Sequence, residues 1–132
     1  MASYKIGVLA QATGITVEAI RYYEREGLLP PPGRSDGNYR VYGEAHLSRL
    51  HFIRHCRSLD MALGDIRTLL DFRDHPQRSC AGVNQLLDQH MDDVAERINQ
   101  LQALQQQLAT LRSLCGQERS AHDCAILQCL DT

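Results

Sequence analysis

Apolar residues recur at steps of three, four or seven from Val83 through Leu87, Val94, Ile98, Leu101, Leu104 and Leu108 to Leu111, and no proline or glycine falls between Val83 and Cys115. That pattern predicts one long helix with one sticky face. Cysteines bracket it: Cys80 before, Cys115 at its end, and Cys124 after an eight-residue loop. At a helical rise of 1.5 Å per residue, Cys80 and Cys115 stand roughly 50 Å apart. They cannot meet within one chain. If the helix pairs antiparallel with a second copy, Cys80 of one chain arrives beside Cys115 and Cys124 of the other, and two three-thiol clusters form at opposite ends of the pair. The spacing therefore predicts a homodimer with shared sites.

The first half carries shorter periods. Ile6 to Ala12 reads as a helix with Ile6, Leu9 and Ala10 on one side, broken at Thr13-Gly14 where glycine permits a sharp turn. Thr16 is placed to cap a second helix, Val17 to Glu26, which Gly27 ends. Helix, glycine turn, helix is a helix-turn-helix pattern. Val17, Ile20 and Tyr23 or Glu24 point inward, leaving Thr16, Glu18, Arg21, Tyr22 and Arg25 to reach bases or phosphates. Leu28 to Gly33 contains three successive prolines and cannot be helical, and Arg34 to Tyr42 reads as a hairpin turning at Asp36-Gly37. With Arg34, Arg40 and two tyrosines, it has the layout of a DNA-binding wing, whose side chains hold phosphates and set register. The expected DNA contacts are Thr16, Val17, Glu18, Arg21, Tyr22, Arg34, Tyr39 and Arg40. A third helix from about residue 44 to 57 turns Leu47, Leu50, Ile53 and Cys56 inward, Cys56 as a small buried residue. His46, His51 and His55 on that helix are expected at the surface or facing phosphate. A fourth helix from about residue 63 to 73 uses Ile66, Leu69 and Leu70.

Charge sharpens this division. Residues 1–73 carry ten Lys/Arg against eight Asp/Glu, while residues 74–132 carry four against eight. Between Arg34 and Arg57, five arginines face only Asp36 and Glu44, which directs the first half toward a polyanion. Residues 1–14 lack the basic start and apolar core of a secretory signal, and no run approaches the ~18 apolar residues of a membrane helix. A cytoplasmic location follows as the expectation, and there five cysteines are more readily ligands or reactive groups than staples.

Ile20-Arg21-Tyr22-Tyr23-Glu24, then Gly27-Leu28-Leu29, then Arg34 through Tyr42, resemble the MerR family of bacterial transcriptional regulators, and the likeness extends over nearly the whole chain. One departure is Ala62, where family members often place a capping serine. The resemblance implies a mainly α fold with a winged helix-turn-helix domain and helix pair over 1–73 and a linker over 74–79. An antiparallel coiled-coil dimerisation helix over 80–115 and a metal-binding loop and helix over 116–132 complete it. It also implies a homodimer on promoter DNA that meets RNA polymerase there, with no enzyme activity and no membrane partner. In that family the apo dimer sits on an operator with an overlong spacer, and metal makes it untwist the DNA.

Ser79-Cys80-Ala81-Gly82-Val83-Asn84 and Cys124-Ala125-Ile126-Leu127-Gln128 look most like the family's lead and cadmium branch. Gly27 to Ser35 and Arg54 to Met61 lean toward its lead-responsive members, and the histidine-rich tail of many cadmium members does not appear by Thr132. The expected ligands are Cys80, Cys115 and Cys124, a sulfur-only shell suited to Pb(II), with Cd(II), Zn(II) and Hg(II) as alternatives. Zinc favours four ligands, and His122 inside the loop could supply one. Cys129, expected on a short terminal helix with Ile126 and Leu130, and His90 on the long helix are accessory candidates. A metal-sequestering protein without regulatory DNA binding, and a thiol-redox sensor or cysteine enzyme, are the competing classes. The second is weakened because no histidine-plus-carboxylate constellation accompanies any cysteine.

Overall fold

The computed structural model describes residues 3–132, so residues 1 and 2 of the expected DNA-binding domain lie outside it. The chain divides into two units, Met1–Val83 and Asn84–Thr132.

The first unit opens with α1 (Ile6–Thr13) and α2 (Val17–Arg25). The turn between them needs a left-handed residue, which Gly14 supplies at φ 73°. A Cβ there would come within 3.2 Å of the Arg54 guanidinium, so glycine also admits that side chain. Thr16 caps α2 as expected, its hydroxyl accepting from the Ala19 N–H at 3.1 Å. The wing follows as β1 (Gly33–Arg34) and β2 (Arg40–Val41), antiparallel with Arg34 opposite Arg40. Its turn sits on Asp36-Gly37, since the Asn38 N–H donates to the Ser35 carbonyl at 2.8 Å. The left-handed φ of 62° nevertheless falls on Asn38, and the pairing closes when the Ser35 N–H reaches the Tyr39 carbonyl. Tyr4 adds a bridge by exchanging backbone hydrogen bonds with Tyr42 at 2.7 and 2.8 Å. Sequence periodicity gave no hint of that partner.

Helices α3 (Glu44–Ser58) and α4 (Leu63–Asp74) follow in the same unit. Leu9, Ile20, Leu28, Leu50, Ile53, Ile66 and Leu70 fill its core, and Cys56 is buried with them. Burial pushes the Cys56 thiol above its ordinary value. His46 corrects the surface reading of the α3 histidines: it is buried, whereas His51 and His55 are exposed. Its Nδ1 accepts from the Gly43 N–H at 3.0 Å, which leaves Nε2 to donate to the Pro30 carbonyl, also at 3.0 Å. Its ring meets Tyr42 edge to face at 5.1 Å between centroids. The histidine thus ties the proline loop to the start of α3. Between α3 and α4 the Met61 N–H donates to the Cys56 carbonyl and Asp60 N–H to that of Arg57, a Schellman arrangement with Asp60 left-handed at φ 61°. Ala62 precedes α4 with no side-chain cap, as the sequence departure indicated.

The long helix is α5 (Ala81–Ser113), 33 residues with no glycine after Gly82. It starts one residue after Cys80, where the Ser79 hydroxyl accepts from the Ala81 N–H at 3.2 Å. It ends two residues before Cys115, because the Leu114 and Cys115 amides reach back only three residues and Gly116 follows. In the second unit a 3-10 turn (Ala121–Asp123) leads to α6 (Ala125–Leu130). Among the described residues no helix is long and apolar enough to cross a membrane.

Candidate nucleic-acid interface and metal-binding thiols

The exposed face of α2 presents Thr16, Glu18, Arg21, Tyr22 and Arg25. Val17 is half-buried, and Ile20 lies wholly in the core. Arg25 lies over the Tyr22 ring at 5.9 Å. Across from this face stands the wing, and Arg21, Glu24, Arg25 and Arg40 line one cleft between them. Glu24 organises that cleft, a role the sequence reading missed. One carboxylate oxygen takes the Tyr42 hydroxyl at 2.9 Å and the other the Arg40 guanidinium at 3.4 Å. Burial, then the hydrogen bond to Glu24, raises the Tyr42 phenol, which stays a neutral donor. The signal available beforehand was an acid on the inward face of a helix whose outward face is basic.

At the wing tip Arg34 donates to the Asn38 carbonyl at 3.3 Å, and the Lys5 ammonium sits 5.4 Å from the centre of the exposed Tyr39 ring. The second contact brings Lys5 beside the hairpin that carries Arg34, Tyr39 and Arg40. Not every arginine of the basic segment is free for an outside anion. Arg49 donates to the Leu28 carbonyl and pairs with Asp74 at 2.8 Å. That hydrogen bond holds the Asp74 carboxyl below the usual carboxylate range. Arg57 reaches the Met61 carbonyl at 3.1 Å.

The thiols divide between the two units. Cys80, exposed, stands immediately before α5 in the first unit. Cys115 and Cys124, both partly exposed, stand at the two ends of the loop in the second. The Cys115 thiol donates to the Gln117 carbonyl at 3.1 Å, and Arg112 donates to the Cys115 carbonyl at 2.6 Å. Cys124 directly precedes α6, and His122 lies in the 3-10 turn before it, exposed, its carbonyl accepting from Gln128. Cys129 is exposed on α6, and His90 is half-exposed on α5. Among the described residues, one chain by itself assembles no group of three metal-ligating side chains. The donor chemistry nevertheless suits a soft cation: all three thiols are free of disulfides and reachable.

Over residues 4–72 the chain matches the MerR HTH family regulatory proteins, and over 47–111 the family described as MerR, DNA binding. The chain belongs to the MerR family. A relative from Haemophilus influenzae, an HTH-type transcriptional regulator ZntR homolog, is 49% identical over 108 residues, 82% of this chain and 80% of that protein. The crystal structure of the transcription regulator PbrR691 from Ralstonia metallidurans in complex with lead(II) superposes with a TM-score of 0.85 at 46% identity, covering 96% of this chain and 98% of that one. The dual-function regulator MerR of Bacillus megaterium, in complex with mercury(II), matches with a TM-score of 0.74 at 27% identity over 98% and 100% of the two chains. As in other MerR-family chains, a helix-turn-helix and wing precede a long helix.

Proposed function

We propose that this MerR-family chain is a soft-metal-responsive transcriptional regulator, a homodimer on promoter DNA whose effector is a divalent ion, Pb(II) in preference to Cd(II), Zn(II) or Hg(II). The observation that carries the reading is the position of the three accessible thiols. Cys80 stands at the head of a 33-residue helix, and Cys115 and Cys124 flank the loop that follows its far end. In an antiparallel pair, Cys80 of one protomer would share an ion with Cys115 and Cys124 of its partner. The likeness to a lead(II)-bound regulator at 46% identity supports the choice of metal.

On the DNA side, the exposed face of α2 and the wing arginines would grip each half-site, with Glu24 holding Arg40 in register. Bound as thiolates to a divalent ion, the three cysteines carry a net charge near −1 and fix the two chains against each other. Untwisting or bending the operator costs on the order of 1–6 kcal/mol. The distorting state must therefore hold the ion more tightly by a comparable amount. His122, two residues before Cys124, is the side chain that would let the same loop accept Zn(II) with a fourth ligand.

A promoter–reporter titrated with Pb(II), Cd(II), Zn(II) and Hg(II) in cells carrying the parent or Cys80→Ser tests the reading. The parent should respond to Pb(II) at the lowest concentration. The variant should lose induction while still retarding the operator in a gel. Equal response to all four metals would remove the preference for lead, and normal induction of Cys80→Ser would remove the shared site.

A further inference from the structure

Cys80 is held in place by a clamp that belongs to α4. Two residues beyond it, Gly82 is pressed so tightly to Phe72 that a Cβ there would come within 2.3 Å of the ring carbon Cζ. Two residues before it, Arg78 lays its guanidinium over the same ring, 4.3 Å from the centroid. Arg78 also pairs with Asp71, the neighbour of Phe72 on α4, at 2.7 Å. The segment that carries the thiol is therefore fastened to one aromatic ring on both sides of Cys80.

That ring is not packed solidly on its remaining side. A cleft of 300 Å³ opens beside it, lined by Phe52, Leu69, Pro76 and Val83 among others. Cys80 lines the same cleft, so the ring and the thiol share one open space. The helix that carries the ring also reaches the end of α2. Arg67 of α4 donates to the Glu26 carbonyl just past the end of α2 and pairs with the Glu26 carboxylate at 3.6 Å. Arg49 joins the Leu28 carbonyl to Asp74 at the other end of α4.

We infer that Phe72 is the positioning residue that couples ligation at Cys80 to the DNA-binding helices, with Gly82 required so that the first turn of α5 can seat on its ring. The inference rests on the proposed metal-sensing role, and it concerns residues that touch neither metal nor DNA in that proposal. Phe72→Leu keeps the site apolar but removes the ring, Gly82→Ala wedges the contact, and Arg78→Gln removes the guanidinium from the exposed side. Full-length variants would be compared with the parent in four measurements. These are hydrogen exchange of the apo protein at residues 77–85, apo affinity for the operator by gel shift, Pb(II) affinity by competition with a chromophoric chelator, and Pb(II)-dependent fluorescence of 2-aminopurine in the operator spacer.

Faster exchange confined to residues 77–85, apo operator and Pb(II) affinities within about threefold of the parent, and a 2-aminopurine response reduced at least fivefold in Phe72→Leu and Gly82→Ala are expected. Arg78→Gln should fall between them and the parent. Variants that keep the parent's full fluorescence response would overturn the inference. So would loss of Pb(II) affinity in proportion to the response, which would mean that the ring only builds the binding site. A parent that binds Pb(II) without any fluorescence change would instead overturn the proposed function itself, and this inference with it.

Discussion

His46 is a polar residue doing a core residue's job. Both ring nitrogens are engaged by backbone groups, and Tyr42 packs on its edge. Removing it strands the Gly43 N–H and the Pro30 carbonyl, each a part-buried group whose lost partner costs about 1–3 kcal/mol. His46→Ala should lower stability to urea by that order, measured at fixed protomer concentration because association contributes to stability. Asp60 offers a second test. Its left-handed conformation at φ 61° closes the α3–α4 turn. A β-branched side chain is strained there by about 1–2 kcal/mol, whereas glycine is not. Asp60→Val should therefore melt below Asp60→Gly by the corresponding few degrees in a calorimetric scan. Neither position was legible from pattern alone. Nothing in the spacing of His46 distinguishes it from His51 and His55, because what buries it is the proline loop folding back from sixteen residues away. Cys56, by contrast, continues the inward periodicity of Leu50 and Ile53, and its burial could be read directly.

Among the elements, the helices were the most readable, since each follows from an apolar period and a terminal signal. Thr16 capping α2 and Gly14 turning the chain are local chemistry, and local chemistry is what a sequence displays. Contacts between elements were not displayed, and they decide which arginines remain available. Arg49 looked like part of a basic surface, yet it is spent on Leu28 and Asp74. The Asp74 carboxyl, held low by Arg49, contributes stability that is present above the unfolded carboxyl value near 3.9. That contribution is lost as pH falls through the lower folded value. The melting-temperature gap between the parent and Asp74→Asn should accordingly narrow below about pH 4 and stay constant above about pH 5. The effect will be modest, because the side chain is 45% exposed. On α5, Val94, Ile98, Leu101, Leu104 and Leu108 are all at least 40% exposed in the single chain, an apolar stripe of the kind that pairs. Leu101→Lys together with Leu104→Lys should shift sedimentation at micromolar concentration from dimer toward monomer.

For the whole molecule, the inter-chain argument is legible in the sequence because helix length is arithmetic: the 35 steps from Cys80 to Cys115 span roughly 50 Å if helical, and α5 covers 33 residues of that stretch. Cys80 and the Cys115–Cys124 loop fall in separate units of the chain, and three ligating groups do not gather within one protomer among the described residues. If each metal site is built from two chains, as proposed, mixed dimers distinguish it from a site confined to one chain. Cys80→Ser subunits and Cys115→Ser/Cys124→Ser subunits, given different affinity tags and co-expressed, can be purified as the mixed dimer and as the two parent homodimers. Counting Pb(II) per dimer after equilibrium dialysis should then give one ion in the mixed dimer, where one site remains whole, and none in either homodimer. A mixed dimer that binds no Pb(II) while the unmutated dimer binds two would contradict the shared site, as would full occupancy in the Cys80→Ser homodimer.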